Sequence, residues 1–253
     1  MEASGLTEIS TTRRIECEKC PLHGIPHFRD LEDTERAFIS TFKIGEMTVR
    51  SGATILMEGS ASPHLYTVLS GWGFRYKMLD DGRRQILNFV FAGDLIGLQG
   101  SLMEEMQHSI EALSTFTLCV FQKDGLPKLF GNLPRLAFDV TWLAAREEIM
   151  LDEHLLSVGQ RSALERAAYL IAFLYQRAKA VRMLNGQNVI PVTQQHIADS
   201  LGLSLVHTNK TLKKLADRKA LSWGEGGCSV LDEAVLLDIS GWEGLPALKR
   251  VYI

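Results

Sequence analysis

Residues Val192 to Ala216, VTQQHIADSLGLSLVHTNKTLKKLA, constrain this chain more than any other stretch. Their spacing predicts two short helices joined by a glycine turn, the arrangement that sets a second helix into the major groove of DNA. Thr193 is placed to cap the first helix, and Ile197 with Leu201 give it one apolar face. Gly202 can take the left-handed conformation that ends a helix without Cβ strain. Ser204 then caps a second helix whose buried positions are Thr208, Thr211 or Leu212, and Leu215. Val206, His207, Asn209, Lys210, Lys213 and Lys214 face outward. With Thr193, Gln194 and Ser204 they make up the candidate DNA-contacting set. An ordinary helical hairpin with a solvated basic face satisfies the same spacing, so the flanking sequence has to decide.

Leu221-Ser222-Trp223 and Cys228-Ser229-Val230-Leu231 are β-like runs around Gly224-Glu225-Gly226-Gly227. Two helices followed by such a hairpin make a winged helix-turn-helix. Between Ile190 and Ser222 five cations, Lys210, Lys213, Lys214, Arg218 and Lys219, outnumber Asp199 and Asp217 by three. The whole chain carries a net charge of −3, but a polyanion responds to the face that it meets.

The 253 residues are enough for two domains with cores of their own, and 46% hydrophobic with 23% charged residues is an ordinary globular composition. No apolar run reaches the ~18 to 20 residues that span a bilayer. The opening MEASGLTEISTTRRIECEKC lacks the pattern of a secretory signal, so the expected location is the cytoplasm, with no membrane partner. Four cysteines in so long a chain are expected to be reduced thiols rather than a disulfide framework.

From about residue 45 to 125, short alternating runs are punctuated by glycine, and Asp80-Asp81-Gly82 marks a hairpin between 76–79 and 84–89. This pattern predicts a compact antiparallel roll. Pro134 opens a helix to about Val158. Along it Ala137, Thr141, Ala144, Glu148, Leu151, Leu155 and Val158 keep a 3-4 spacing, beside a second stripe of Phe138, Trp142, Ala145, Ile149 and Leu156. Two stripes predict two packing partners, the roll for one and a second copy of the helix for the other. The first stripe is the candidate dimer seam. Ser162-Ala163-Leu164-Glu165 is a capping box for a further helix, which Asn185-Gly186 terminates, and Asp232 caps a last short one.

A glycine-punctuated roll, a long helix and a winged helix-turn-helix resemble the Crp/Fnr family of bacterial transcription regulators over about residues 30 to 240. The motifs that carry the likeness are Ala92-Gly93-Asp94-Leu95-Ile96-Gly97 in the roll and Thr193–Ala198 with Leu201–Ser204 in the DNA-reading unit. The resemblance implies an α+β protein: a cysteine-containing segment (1–30), a cyclic-nucleotide-binding-like β-roll (31–133), a dimerisation helix (134–158), a winged helix-turn-helix (159–240) and a tail (241–253). It implies a homodimer on palindromic double-stranded DNA, with RNA polymerase as a further partner.

Cyclic AMP binding in this family uses a glutamate and an arginine-serine pair. Leu98 stands where the carboxylate belongs and His108 replaces the arginine before Ser109, so no cyclic-nucleotide binding is expected. The oxygen-sensing branch holds an iron–sulfur cluster on three N-terminal cysteines and one in the roll. Here Cys17, Cys20 and Cys119 match, but Pro26 occupies the third N-terminal position and Cys228 lies in the predicted wing. The expected cofactor set is therefore empty, with a cluster- or thiol-based redox response through Cys17, Cys20 and Cys119 as the alternative. On the reading helix the family's first two specificity positions fall on Leu205 and Val206 and the last on Lys210, beside Asn209. The family's glutamate is missing, which implies a different palindrome. The rival outside this class is a cupin-like enzyme; it needs clustered imidazoles, whereas His64 and His108 are isolated.

Overall fold

A computed structural model describes residues 15–184, 188–245 and 249–253. The chain forms two compact units, one from residues up to Phe74, Val90–Leu143 and Lys249–Ile253, the other from Arg75–Phe89 and Ala144–Leu248.

The first unit opens with a 3-10 turn at Cys17–Lys19 and helix α1 (Asp33–Phe42). The roll follows: β1 (Lys43–Val49), β2 (Thr54–Leu56), β3 (His64–Ser70), β4 (Gly73–Met78), β5 (Arg84–Val90), β6 (Leu95–Ile96), the short helix α2 (Leu98–Leu102), β7 (Ser109–Ala112) and β8 (Phe116–Gln122), with the outer part of the β4–β5 hairpin, Arg75–Phe89, counted in the second unit. Its two sheets have the orders β1-β8-β3-β6 and β2-β7-β4-β5. Met47, Val68, Met106, Ile110, Phe116 and Leu118 pack together in the interior. The alternation of a strand puts Val68 and Leu118 inward and their neighbours Thr67 and Cys119 outward. Gly93 holds φ +84°, and a Cβ there would run into the Phe28 ring. Glycine is required on both counts.

The last five residues belong to this first unit. Arg250 N donates to His27 O at 2.7 Å and Arg29 N to Arg250 O at 2.8 Å, a parallel bridge between Phe28 and Arg250. Arg250 and Asp94 are each 1% exposed and form an ion pair. Removing one partner of such a buried pair costs about 3–5 kcal/mol, because the other charge is left unpaired. Beside it Arg29 binds Glu35 at 2.8 Å and also Asp139, which ties α1 to the start of the long helix.

After α3 (Leu126–Asn132), helix α4 runs from Pro134 to Gln160. Its residues that belong to the second unit pack by Met150 and Ser157, while Leu136, Val140 and Leu143 are buried in the first. The expectation that one apolar stripe faces the roll is overturned. Phe138 (67% exposed), Ile149, Leu151, Leu155 (72%) and Leu156 are open, so both stripes lie on one broad outer face. The packed line runs along the opposite side and includes polar residues, buried Asp139 and Ser157 and half-buried Glu147 and His154, set among neighbours that periodicity cannot foresee.

The second unit continues with α5 (Ala163–Ala180), whose capping box is formed: Ser162 N donates to Glu165 Oε2 at 2.7 Å and Glu165 N to Ser162 Oγ at 3.4 Å. The Asn185-Gly186 turn lies outside the described residues. Then come β9 (Val189–Ile190), α6 (Gln194–Leu201), α7 (Leu205–Asp217), β10 (Leu221–Gly224), β11 (Gly227–Val230) and α8 (Glu233–Ser240). The core is α5, with Leu170, Ile171 and Leu174, against Ile197, Leu201, Leu212, Leu215 and Leu236. Trp242 closes it edge-on to Tyr169 and Phe173. Among the described residues no helix is long and apolar enough to cross a membrane.

Candidate nucleic-acid interface

Each helix of the reading pair begins on the residue predicted for it. Thr193 Oγ1 accepts from His196 N at 3.1 Å, and His196 Nδ1 accepts in return from Thr193 N at 3.1 Å. Ser204 Oγ accepts from His207 N at 3.3 Å. Capping uses these hydroxyls as acceptors and leaves their O–H groups able to donate, which suits a phosphate oxygen. Gly202 ends α6 in the left-handed region, φ 63°. Thr208, Thr211, Leu212 and Leu215 anchor α7 in the core. One consequence is geometric: with that stripe inward, Val206, His207, Asn209, Lys210, Lys213 and Lys214 are all exposed, while Gln194 is half-buried.

Among the described residues Lys210, Lys213 and Lys214 form no ion pair, so their charges are uncommitted. Asp199, the acidic residue of α6, is countered by Arg84 Nε at 2.8 Å and accepts from Gln195 Nε2 at 2.6 Å. Gln85 Nε2 donates to Ser200 O at 2.9 Å. Sequence reasoning missed Arg84 and Gln85, which lie more than a hundred residues away and carry no local signal. The wing is a two-residue hairpin with Trp223 opposite Cys228. Its third strand, β9 on β11, was also missed, being only two residues long.

In the roll, Ser109 Oγ accepts from Glu58 N at 3.0 Å, and His108 is 7% exposed. Cys17, Cys20 and Cys119 line one cavity of about 30 Å³ together with Lys43, Tyr252 and Ile253. Burial pushes the Cys119 thiol up to about 12 and raises that of Cys20. Lys43 Nζ is itself engaged, with Glu46 Oε1 at 2.6 Å and Ile15 O at 2.7 Å. A four-thiolate cluster does not fit here: three thiols converge, and Cys228 belongs to the other unit. Among the described residues no group of three His, Cys, Asp or Glu has the disposition of a metal site.

Comparison with known proteins agrees with both units. Residues 46–132 match the cyclic nucleotide-binding domain and residues 165–239 the Crp-like helix-turn-helix domain. The chain is 33% identical over 184 residues, 73% of its length and 77% of the relative's, to the nitrogen fixation regulation protein FixK of Bradyrhizobium diazoefficiens. It is 23% identical over 238 residues, 91% of its length and 95% of the relative's, to the transcriptional activator protein FnrL of Cereibacter sphaeroides. The solved structure of FixK2 from Bradyrhizobium japonicum covers 80% of this chain and 98% of its own, with a TM-score of 0.67 and 24% identity, a likeness of fold. Roll, long helix and basic reading pair thus occur together in a chain that belongs to the Crp/Fnr family of DNA-binding transcription regulators.

Proposed function

We propose that the chain acts in the cytoplasm as a homodimer joined along α4, and that it sets two copies of α7 into successive major grooves of a palindromic site. The observation that carries this reading is the outward face of α7, where three uncommitted lysines stand beside Asn209 and His207. Lysines at 210, 213 and 214 neutralise phosphates or reach guanine, Asn209 suits adenine, and the cap hydroxyls of Thr193 and Ser204 hold the helix ends to the backbone. Ala137, Thr141, Ala144, Glu148, Leu151, Leu155 and Val158 form the seam, all exposed or half-buried in the single chain. Selection from random DNA tests it: a twofold-symmetric site unlike the usual family consensus is expected, and a half-site without symmetry would overturn the dimeric reading. RNA polymerase is the partner through which the bound dimer acts on transcription.

The same reading assigns no cyclic AMP to the roll. Leu98 brings no carboxylate, His108 is buried, and Ser109 already serves Glu58. Calorimetric titration with cyclic AMP is expected to show no heat; micromolar binding would refute it. A thiol-based response through Cys17, Cys20 and Cys119 is the second reading, favoured by their shared cavity. It predicts DNA affinity that changes on reversible thiol oxidation and is insensitive in a chain with all three changed to serine.

A further inference from the structure

We propose that residues 250–253 are a detachable strap that closes the three-thiol cavity, with the Arg250–Asp94 pair as its latch. The strap lies on the outer face of the roll. Cys119 on β8 pairs with Thr67 on β3, so both side chains point to that face, and Thr67 Oγ1 donates to Ile253 O. Tyr252 and Ile253, each 5% exposed, are walls of the cavity lined by Cys17, Cys20 and Cys119. Where the strap lies it helps to bury Cys119, whereas Cys17 and Cys20 at the rim are half-buried.

Among the described residues the strap is held by the backbone hydrogen bonds to His27 and Arg29, the Thr67 hydroxyl, the Tyr252 ring edge-on to Phe28 at 5.2 Å, and the contact of Arg250 with Asp94 and, at 6.0 Å, the Phe28 ring. The guanidinium is incompletely served: among the described residues Nε and Nη1 have no acceptor, although both are buried. Buried donors without partners favour any state that returns them to water. Opening therefore gains hydration for Arg250 while it loses the apolar burial of Val251, Tyr252 and Ile253, so the strap opens as a minor state. Reciprocity follows. A cavity of about 30 Å³ has no room for an adduct on the buried Cys119, so a group attached there holds the strap off, and an open strap speeds attachment.

The test is pulse labelling of the full chain with N-ethylmaleimide under native conditions, read at each cysteine by peptide mass. The thiolate adds across the maleimide double bond, forming a carbon–sulfur bond while the adjacent carbon takes up a proton. Cys228, wholly buried in the wing, is the internal marker for unfolding of the second unit, and the β3 and β8 amides, followed by hydrogen exchange, are the marker for unfolding of the first. Arg250→Ala and Asp94→Asn are each expected to raise labelling at Cys119 tenfold or more, with Cys228 unmoved. An unchanged rate at Cys119 would overturn the proposal. Should a variant unfold, the unaltered chain decides by hydrogen exchange. The Arg29 and Arg250 amides must exchange together and well ahead of the β3 and β8 amides of the same unit; exchange only together with those strands rules the strap out.

Discussion

Arg84 at the tip of the β4–β5 hairpin donates to Asp199 on α6 across 2.8 Å, which neutralises a carboxylate beside the basic reading helix. Exposed at 24% and 12%, the pair is partly shielded from solvent. Arg84→Ala uncovers the negative charge and is expected to weaken DNA binding severalfold at low salt. The double variant Arg84→Ala/Asp199→Ala should recover most of that loss in a fluorescence titration. A double variant as weak as the single one would mean that Arg84 acts on DNA directly.

Lys210 and its neighbours are expected to separate into two roles. Lys210→Ala should cost about 1–3 kcal/mol of specific binding if it reads a base, with a smaller effect on random DNA. Lys213→Ala and Lys214→Ala should weaken both DNAs alike and lower the slope of log affinity against log salt by about one each. Equal effects of all three on the ratio of specific to random affinity would reject this assignment.

The open face of α4 predicts an assembly defect. Leu155, 72% exposed, and Leu151 lie in the C-terminal half of the proposed seam. Leu155→Glu places a charge against its own copy across a twofold axis, where no counter-charge awaits it. Sedimentation is expected to move from dimer to monomer at micromolar concentration, without loss of helical circular dichroism. Persistence of the dimer would place the interface elsewhere.

Burial lowers the His154 imidazole below its usual 6.5, and it lowers His196 too, helped by nearby Arg84. His154 Nε2 has no partner among the described residues. The unfolded chain therefore takes up protons at a higher pH than the folded one. Stability should be level above about pH 6.5 and should fall as pH drops below it, by at most about 1.4 kcal/mol per pH unit for each histidine. Urea midpoints at pH 7.5 and 5.5 measure this. His154→Gln should shrink the difference, leaving the His196 share; an undiminished difference would clear His154 of any part.

At Gly93 an added methyl group meets the Phe28 ring, and the backbone is held at φ +84°. Gly93→Ala is expected to destabilise the roll by roughly 1–3 kcal/mol, the cost of a strained left-handed residue before any clash is relieved. Thermal unfolding followed by tryptophan fluorescence checks it through Trp72, which packs on Phe91. No change in midpoint would show that Phe28 swings aside freely.

What was legible in the sequence was local. Thr193, Ser204, Gly202, Ser162 and Asp232 mark their helix ends because capping is decided within three or four residues. The wing followed from its glycines. Less legible was anything fixed by distant partners. The buried side of α4 contains Asp139, which meets Arg29 from 110 residues away, and Glu147, which meets Arg75. A pattern of apolar residues passes over such positions, so both visible stripes turned out to face outward. In the same way Arg250 lies in a stretch read only as a tail, although its carboxylate, Asp94, sits within the best-marked motif of the roll.

The pairing of Ile190 with Cys228 and of Val189 with Ser229 brings the entrance and the exit of the reading head side by side. A segment whose two ends meet is anchored at one place, even though the core of its helices still rests on α5. Any pull on the strand that leads in is also felt at once by the wing, with no need to pass through the helices between them.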